Sequence, residues 1–216
     1  MFEFMVFGGR NREGSIDTYE HTFGGGRIVF TPHPNYKFGT TYIHTEITKL
    51  FPDTTVGDYS NDVWSFDTTL KFFDRKLLFK GETAFSLYSE DRRDPLADKI
   101  QGWAINLELD YKPIREIKIS TDYEYVEPNF MTIMGTAPRD RESIKWGITY
   151  TPSRVWKFWG DYKFRRNCLT NSSPSEYRTF VHYSEAGLTY RPFYENKDSY
   201  FNKLKLDLRL DYTNRQ

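Results

Sequence analysis

From Leu204 to Tyr212 the chain alternates without interruption: Leu204, Leu206, Leu208, Leu210 and Tyr212 fall between Lys203, Lys205, Asp207, Arg209 and Asp211. A period of two puts each set on its own face of an extended strand, where a helix would mix them. Trp103, Ile105, Leu107, Leu109 and Tyr111 alternate in the same way with Asn106, Glu108 and Asp110. Ile117, Ile119, Tyr123 and Tyr125 do so with Lys118, Ser120, Asp122 and Glu124. Trp64, Phe66, Leu70 and Phe72 oppose Ser65, Asp67 and Lys71, and Trp156, Phe158, Tyr162 and Phe164 oppose Lys157, Asp161, Lys163 and Arg165. Weaker alternation covers 2–10, 20–31 and 37–50, where Gly24, Gly25 and Gly26 read as a bend or a close backbone approach.

An aromatic-x-Pro signature punctuates these segments at Phe30-Thr31-Pro32, Tyr111-Lys112-Pro113, Tyr150-Thr151-Pro152 and Tyr190-Arg191-Pro192, with a degenerate copy at Phe72-Phe73-Asp74. The copies recur about every 40 residues and read as tight turns. The segments between them run to about 9–13 residues, the length of a tilted strand crossing a bilayer. Longer polar stretches fall near 11–19, 51–62, 90–98, 128–142 and 167–178. The pattern predicts about eleven strands joined alternately by short turns and long loops, with every long loop on one side.

Composition narrows the class. Phe, Tyr and Trp number 18, 16 and 5 in 216 residues, yet charged residues make up 28% and the mean hydropathy is negative. A strongly aromatic and strongly charged chain suits a sheet whose two faces meet different solvents. Lys plus Arg equals Asp plus Glu at 30 each, which gives no reason to expect nucleic acid as partner. The single cysteine, Cys168 in NCLTNSSPSE, excludes an intrachain disulfide and reads as a loop thiol. No apolar run approaches the roughly 18 residues of a spanning helix. The opening MFEFMVFGGR lacks the regions of a signal peptide, so a leader is expected to be removed or to lie upstream.

The units ITYTPSRVWKFWGDYKF, LELDYKPIREIKISTDYEY and GLTYRPFYENKDSYFNKLKLDLRLDY look like strand, turn, strand. Across nearly its whole length the chain thereby resembles the bacterial outer-membrane β-barrel superfamily, the porin-like proteins. The resemblance implies an all-β, antiparallel, up-and-down transmembrane barrel of about 10–12 visible strands, in the bacterial outer membrane, with turns toward the periplasm. Two departures stand out: the odd strand count, and an ending of DYTNRQ where such barrels usually close on a terminal aromatic. Residues 1–216 are therefore read as one barrel domain, incomplete at one or both ends, from a larger barrel.

On this reading the lumen-facing set comprises Lys80, Glu82, Glu108, Asp110, Lys118, Asp122, Glu124, Lys157, Asp161, Lys163, Lys205, Asp207 and Arg209. Its mixed signs suit cross-strand ion ladders as well as a polar channel lining. Trp64, Trp103, Tyr111, Trp146, Tyr150, Trp156 and Tyr190 are read as membrane-interface girdles, with a sugar-stacking platform as the alternative. The carboxylate pairs Glu108/Asp110 and Asp122/Glu124 are what any amphipathic wall contains. His21, His33, His44 and His182 show no zinc spacing, and no serine constellation is present. Asp53, Asp58, Asp62 and SEDRRD (89–94) read as solvated loop, and Asn171-Ser172-Ser173 as a chance sequon.

No enzyme, cofactor or metal is expected. The leading expectation is a porin-like channel for small polar solutes, with outer-membrane lipid and lipopolysaccharide around it. A scaffold barrel with a partner protein in its lumen is the second reading, and a soluble β-rich carbohydrate-binding module the third. A propeller would divide each 40-residue repeat into four short strands, and a sandwich would need turns every 8–12 residues, so both fit less well.

Overall fold

The structure is a computed structural model that describes residues 1–13, 19–49, 58–91, 98–133, 139–167, 179–194, 200–201 and 203–216. Its described elements are eleven strands: β1 (Phe2–Glu13), β2 (Tyr19–His33), β3 (Tyr36–Lys49), β4 (Tyr59–Phe72), β5 (Leu77–Ser89), β6 (Lys99–Tyr111), β7 (Ile117–Val126), β8 (Arg141–Tyr150), β9 (Trp156–Asn167), β10 (Phe180–Tyr190) and β11 (Leu206–Arg215). They form one up-and-down sheet in sequence order, so β1 and β11 each have a single neighbour. Short and long connections alternate as the pattern predicts, up to the link into β11. Cys168, Asn171-Ser172-Ser173, Asp53 and Asp94 lie outside the described residues.

Local chemistry explains where the strands depart from the expected boundaries. Phe30-Thr31-Pro32 is not itself the turn: β2 continues to His33, and the chain reverses at Pro34-Asn35. The ladder breaks register between Phe30 and His33, and Pro32, which has no N–H to offer, sits in that break. Tyr59–Asp62, expected in a loop, extend β4 because Tyr59, Asn61 and Val63 pair with Ile47, Thr45 and Ile43. After β4 the turn runs through Phe73, Asp74 and Arg75, all with positive φ, and closes with the Lys76 N–H donating to the Phe73 carbonyl at 3.0 Å. Between β10 and β11 the connection is long, and β11 begins only at Leu206. Leu204 donates to the Phe201 carbonyl at 2.9 Å, a local turn that holds Lys203, Leu204 and Lys205 out of the strand.

Two compact units make up the chain: Met1–Leu70 with Gly81–Asn106 and Tyr125–Arg141, and Lys71–Lys80 with Leu107–Glu124 and Glu142–Gln216. In the first unit Phe2, Phe4, Ile28, Phe30, Phe38, Thr40, Tyr42, Trp64 and Phe66 share a face by register. Gly24–Gly26 are ordinary positions of β2 facing Gly8, Phe7 and Val6, and a Cβ on Gly25 would strike the Phe7 ring. That is the close approach the glycines announce, without a bend. In the second unit Trp156 faces Tyr190 and then Leu206, and Phe158 faces Leu188 and then Leu208. Lys157, Thr189 and Asp207 form a row on the other face.

Burial runs opposite to a soluble fold. Among the described residues only Val29, Tyr88, Val126 and Phe130 are buried hydrophobics, whereas Phe4, Val6, Phe66, Ile148, Leu208 and Leu210 are each more than half exposed. Val29, Tyr88 and Val126 all belong to the polar face, because they alternate with Ile28 and Phe30, Phe85, and Tyr125. Among the described residues, none buries these apolar side chains. Stripes of this extent on a water-soluble monomer would be an association site.

Candidate functional site

Charge on the polar face is paired strand to strand. In the second unit Lys80 Nζ lies 2.7 Å from Glu108, Lys118 Nζ 2.9 Å from Asp110, and Lys145 Nζ 3.8 Å from Asp161. Ser143 donates to Glu124 at 3.3 Å, and Asp122 lies among Glu108, Asp110, Lys118 and Lys145. Farther along, Arg209 reaches Glu185 at 2.6 Å and Asp211 at 3.0 Å, while Tyr183 donates to Glu185 at 2.7 Å. Lys205 pairs with Asp207 at 2.8 Å, and buried Thr189 donates to the same carboxylate at 2.6 Å. Lys163 faces Tyr183 across the ladder and Lys157 faces Thr189. Glu82, in the first unit, is exposed and forms no ion pair among the described residues. These pairs are half-exposed, and such pairs contribute at most about 1 kcal/mol each, so they order the wall more than they stabilise it.

Several members of this network escape the sequence reading. Arg27 pairs with Asp67 at 2.7 Å and donates to Thr41 at 2.7 Å. Gly39 sits between them in the register, and a Cβ there would collide with the Asp67 carboxylate and the Arg27 guanidinium. Irregular alternation in β2 and β3 hides this pair. Lys145 and Glu185 were legible from the alternation of β8 and β10.

The first unit carries a feature with no signal in the strand pattern. Beyond β7 the segment Glu127–Ile133, most of which falls in the long polar stretch near 128–142, lies against the polar face. Glu127 N–H donates to the Trp103 carbonyl at 3.0 Å, and the Glu127 carboxylate accepts from Trp103 N–H at 3.0 Å. Asn61, 1% exposed, donates to the Met131 carbonyl at 3.1 Å and accepts from Ile133 N–H at 3.4 Å. Met131 N–H donates to Ser86 Oγ at 3.0 Å, and Ser86 donates to the Gly102 carbonyl at 3.4 Å. Phe130 is 4% exposed over Gly102, where any Cβ would strike the Phe130 backbone. Small residues make the seat, and buried polar groups find their partners in the segment's backbone.

On the apolar face the aromatics fall in two rows. Tyr111, Tyr150, Trp156 and Tyr190 stand at the short-turn ends of their strands, with Trp156 stacked on Tyr190 at 4.1 Å. Trp64 and Trp103 stand inside their strands toward the long-loop ends, against Tyr42 and Tyr125, and Trp146 stands near the middle of β8 against Tyr162. Beyond this second row the same face turns polar. His44 lies between Asp62 at 2.7 Å and Glu46 at 2.8 Å, Arg166 pairs with Glu142, and Tyr123 donates to Glu142 at 3.1 Å. From Trp64 to Phe72 the strand advances about 26 Å at roughly 3.3 Å per residue. Among the described residues no group of three or more His, Cys, Asp or Glu is arranged to hold a metal ion.

No protein-family model matches the chain, and no curated protein matches it in sequence. Solved structures do match. The FrpB iron transporter of Neisseria meningitidis superposes with a TM-score of 0.57 at 11% identity, over 92% of this chain and 36% of that one. OpdQ of Pseudomonas aeruginosa matches at 0.47 and 14% identity, over 99% of this chain and 56% of that one. A BenF-like porin of Pseudomonas fluorescens Pf-5 matches at 0.42 and 9% identity, over 91% and 63%. The chain thus spans little more than a third of FrpB and less than two thirds of either of the others. The likeness to FrpB is one of fold, an all-β, up-and-down antiparallel sheet.

Proposed function

We propose that this chain is the wall of a porin-like channel in the outer membrane of a Gram-negative bacterium. Its apolar face contacts lipid, and its polar face lines a watery path for small polar solutes. One observation carries the reading: an exposed apolar face bounded by two aromatic rows, backed in register by a face of paired charges. Along β6, from Trp103 to Tyr111, the two rows stand about 20 Å apart at a 40° tilt, somewhat short of the roughly 25 Å apolar band of outer-membrane barrels. A soluble carbohydrate-binding module would leave that face in water and has no use for its extent.

The residues named from sequence then divide by face. Lys80, Glu82, Glu108, Asp110, Lys118, Asp122, Glu124, Lys157, Asp161, Lys163, Lys205, Asp207 and Arg209 face the lumen, joined by Arg27, Asp67, Lys145 and Glu185. Tyr111, Tyr150, Trp156 and Tyr190 mark the periplasmic interface, and Trp64, Trp103 and Trp146 the outer one. Glu127–Ile133 narrows the path. An exposed strand edge is not tolerated in hydrocarbon, so on this reading the edges of β1 and β11 are paired when the wall stands in a membrane.

The test is reconstitution of the full-length protein into planar bilayers. Discrete conductance steps are expected, with little preference between cations and anions because the wall carries both signs. A folded protein that inserts and leaves the membrane sealed would instead favour the scaffold reading, a barrel whose lumen is filled by a partner.

A further inference from the structure

At the short-turn end of the polar face the balance of charge breaks down. A cavity of about 250 Å³ is lined by Thr151, Arg154, Lys157, Thr189, Arg191 and Lys205, with Trp156 and Tyr194 among its walls. Four cations surround it. Asp207 is the one carboxylate bonded to any of them among the described residues, and it is occupied by Lys205 and Thr189. Arg154 and Lys157 form no ion pair among the described residues. An adjoining recess shares Thr151 and Arg154 and adds Arg115 and Glu116.

The site is built rather than incidental. Arg191 N–H donates to the Val155 carbonyl at 2.9 Å, which ties the turn after β8 to the end of β10, and Thr151 N–H donates to the Glu116 carbonyl at 2.7 Å. The Arg191 guanidinium lies over the Tyr194 ring, 5.8 Å from its centroid. Lys157, Thr189 and Asp207 occupy one row of the ladder, which sets the cavity on the polar side of the sheet. In a chain with equal numbers of acids and bases, gathering four cations around one hollow is unfavourable until an anion enters, and the arginine forks and lysines supply donors from several directions.

We propose that this cavity binds a compact oxyanion of the phosphate class, free or carried on a solute, at the periplasmic end of the wall. Its volume of about 250 Å³ leaves room for such a group. A phospholipid headgroup offers the same chemistry, and the test below distinguishes the two sources. The assignment of the periplasmic end rests on the membrane reading above; the oxyanion site itself does not.

Calorimetric titration of inorganic phosphate into full-length protein, folded in an uncharged detergent, tests this. Saturable binding at about millimolar concentration is expected, weakening as chloride is raised. Lys157→Gln together with Arg191→Gln should weaken it at least about tenfold, and Lys99→Gln should leave it unchanged, with circular dichroism confirming the strand content of each protein. Absence of saturable phosphate binding to the unsubstituted protein would overturn the proposal, as would binding that survives the double substitution. So would binding of phosphatidylglycerol nanodiscs to these residues without competition from free phosphate, which would assign them to the headgroup. Conductance is measured separately, so an unsubstituted protein that gives conductance steps and binds no phosphate refutes this inference and leaves the channel standing.

Discussion

Single positions on this wall are chosen by which face they serve. Gly39 leaves room for the Arg27–Asp67 pair, and Gly102 for the backbone of Phe130. Gly39→Leu should displace the ion pair and lower stability by about 1–3 kcal/mol, the usual cost of overfilling a packed site, read by urea unfolding of the protein folded into vesicles. A loss below a few tenths of a kcal/mol would mean the pair has room to move aside. Depth matters on the other face. Leu210 faces Ala186, and Ala186 faces Gly160, midway between the aromatic rows, whereas Leu206 faces Tyr190 in the lower row. Leu210→Arg should therefore cost about 2–4 kcal/mol and Leu206→Arg about 0–1. Equal costs, or the reverse order, would contradict the placement of the bilayer.

Among elements, strands and turns differ in how far they could be foreseen. Where period-two alternation is clean, as in β6, β7 and β11, pattern and strand coincide within a few residues, because a sheet with one apolar and one polar face selects that pattern directly. Where the polar face is lined by Gly, Thr and Ile, as in β2 and β3, alternation is weak and the Arg27–Asp67 pair goes unseen. The segment Glu127–Ile133 lies beyond such reasoning, since its partners Asn61, Ser86 and Gly102 are distant in sequence and none is unusual alone. Asn61→Leu combined with Phe130→Ala removes both its polar anchor and its buried ring. Conductance per channel should then rise measurably above that of the unsubstituted protein, with the strand content unchanged. Unaltered conductance would show that the segment does not lie in the path.

At the scale of the molecule the controlling fact is the pair of open edges. β1 and β11 present ladders of about ten residues or more, and β11 is exposed along nearly its whole length. Residues 1–216 refolded alone in detergent should therefore associate through these edges rather than remain monodisperse, as seen by light scattering, and supplying further strands should abolish the association. A stable monomer with all amides of β11 protected from hydrogen exchange would show that the edge is already satisfied.

Sequence by itself determined the class of fold: the number of strands, the alternation of short and long connections as far as β10, and, where alternation is clean, which residues share a face. All of these follow from local periodicity and turn chemistry, which are written in neighbouring residues. Only the tertiary structure decided which charges meet, that Glu127–Ile133 lies on the polar face, and that Arg154, Lys157, Arg191 and Lys205 gather around one hollow. Those outcomes depend on register between strands and on where the turns bring their side chains, and register is a relation between distant segments that no single segment contains.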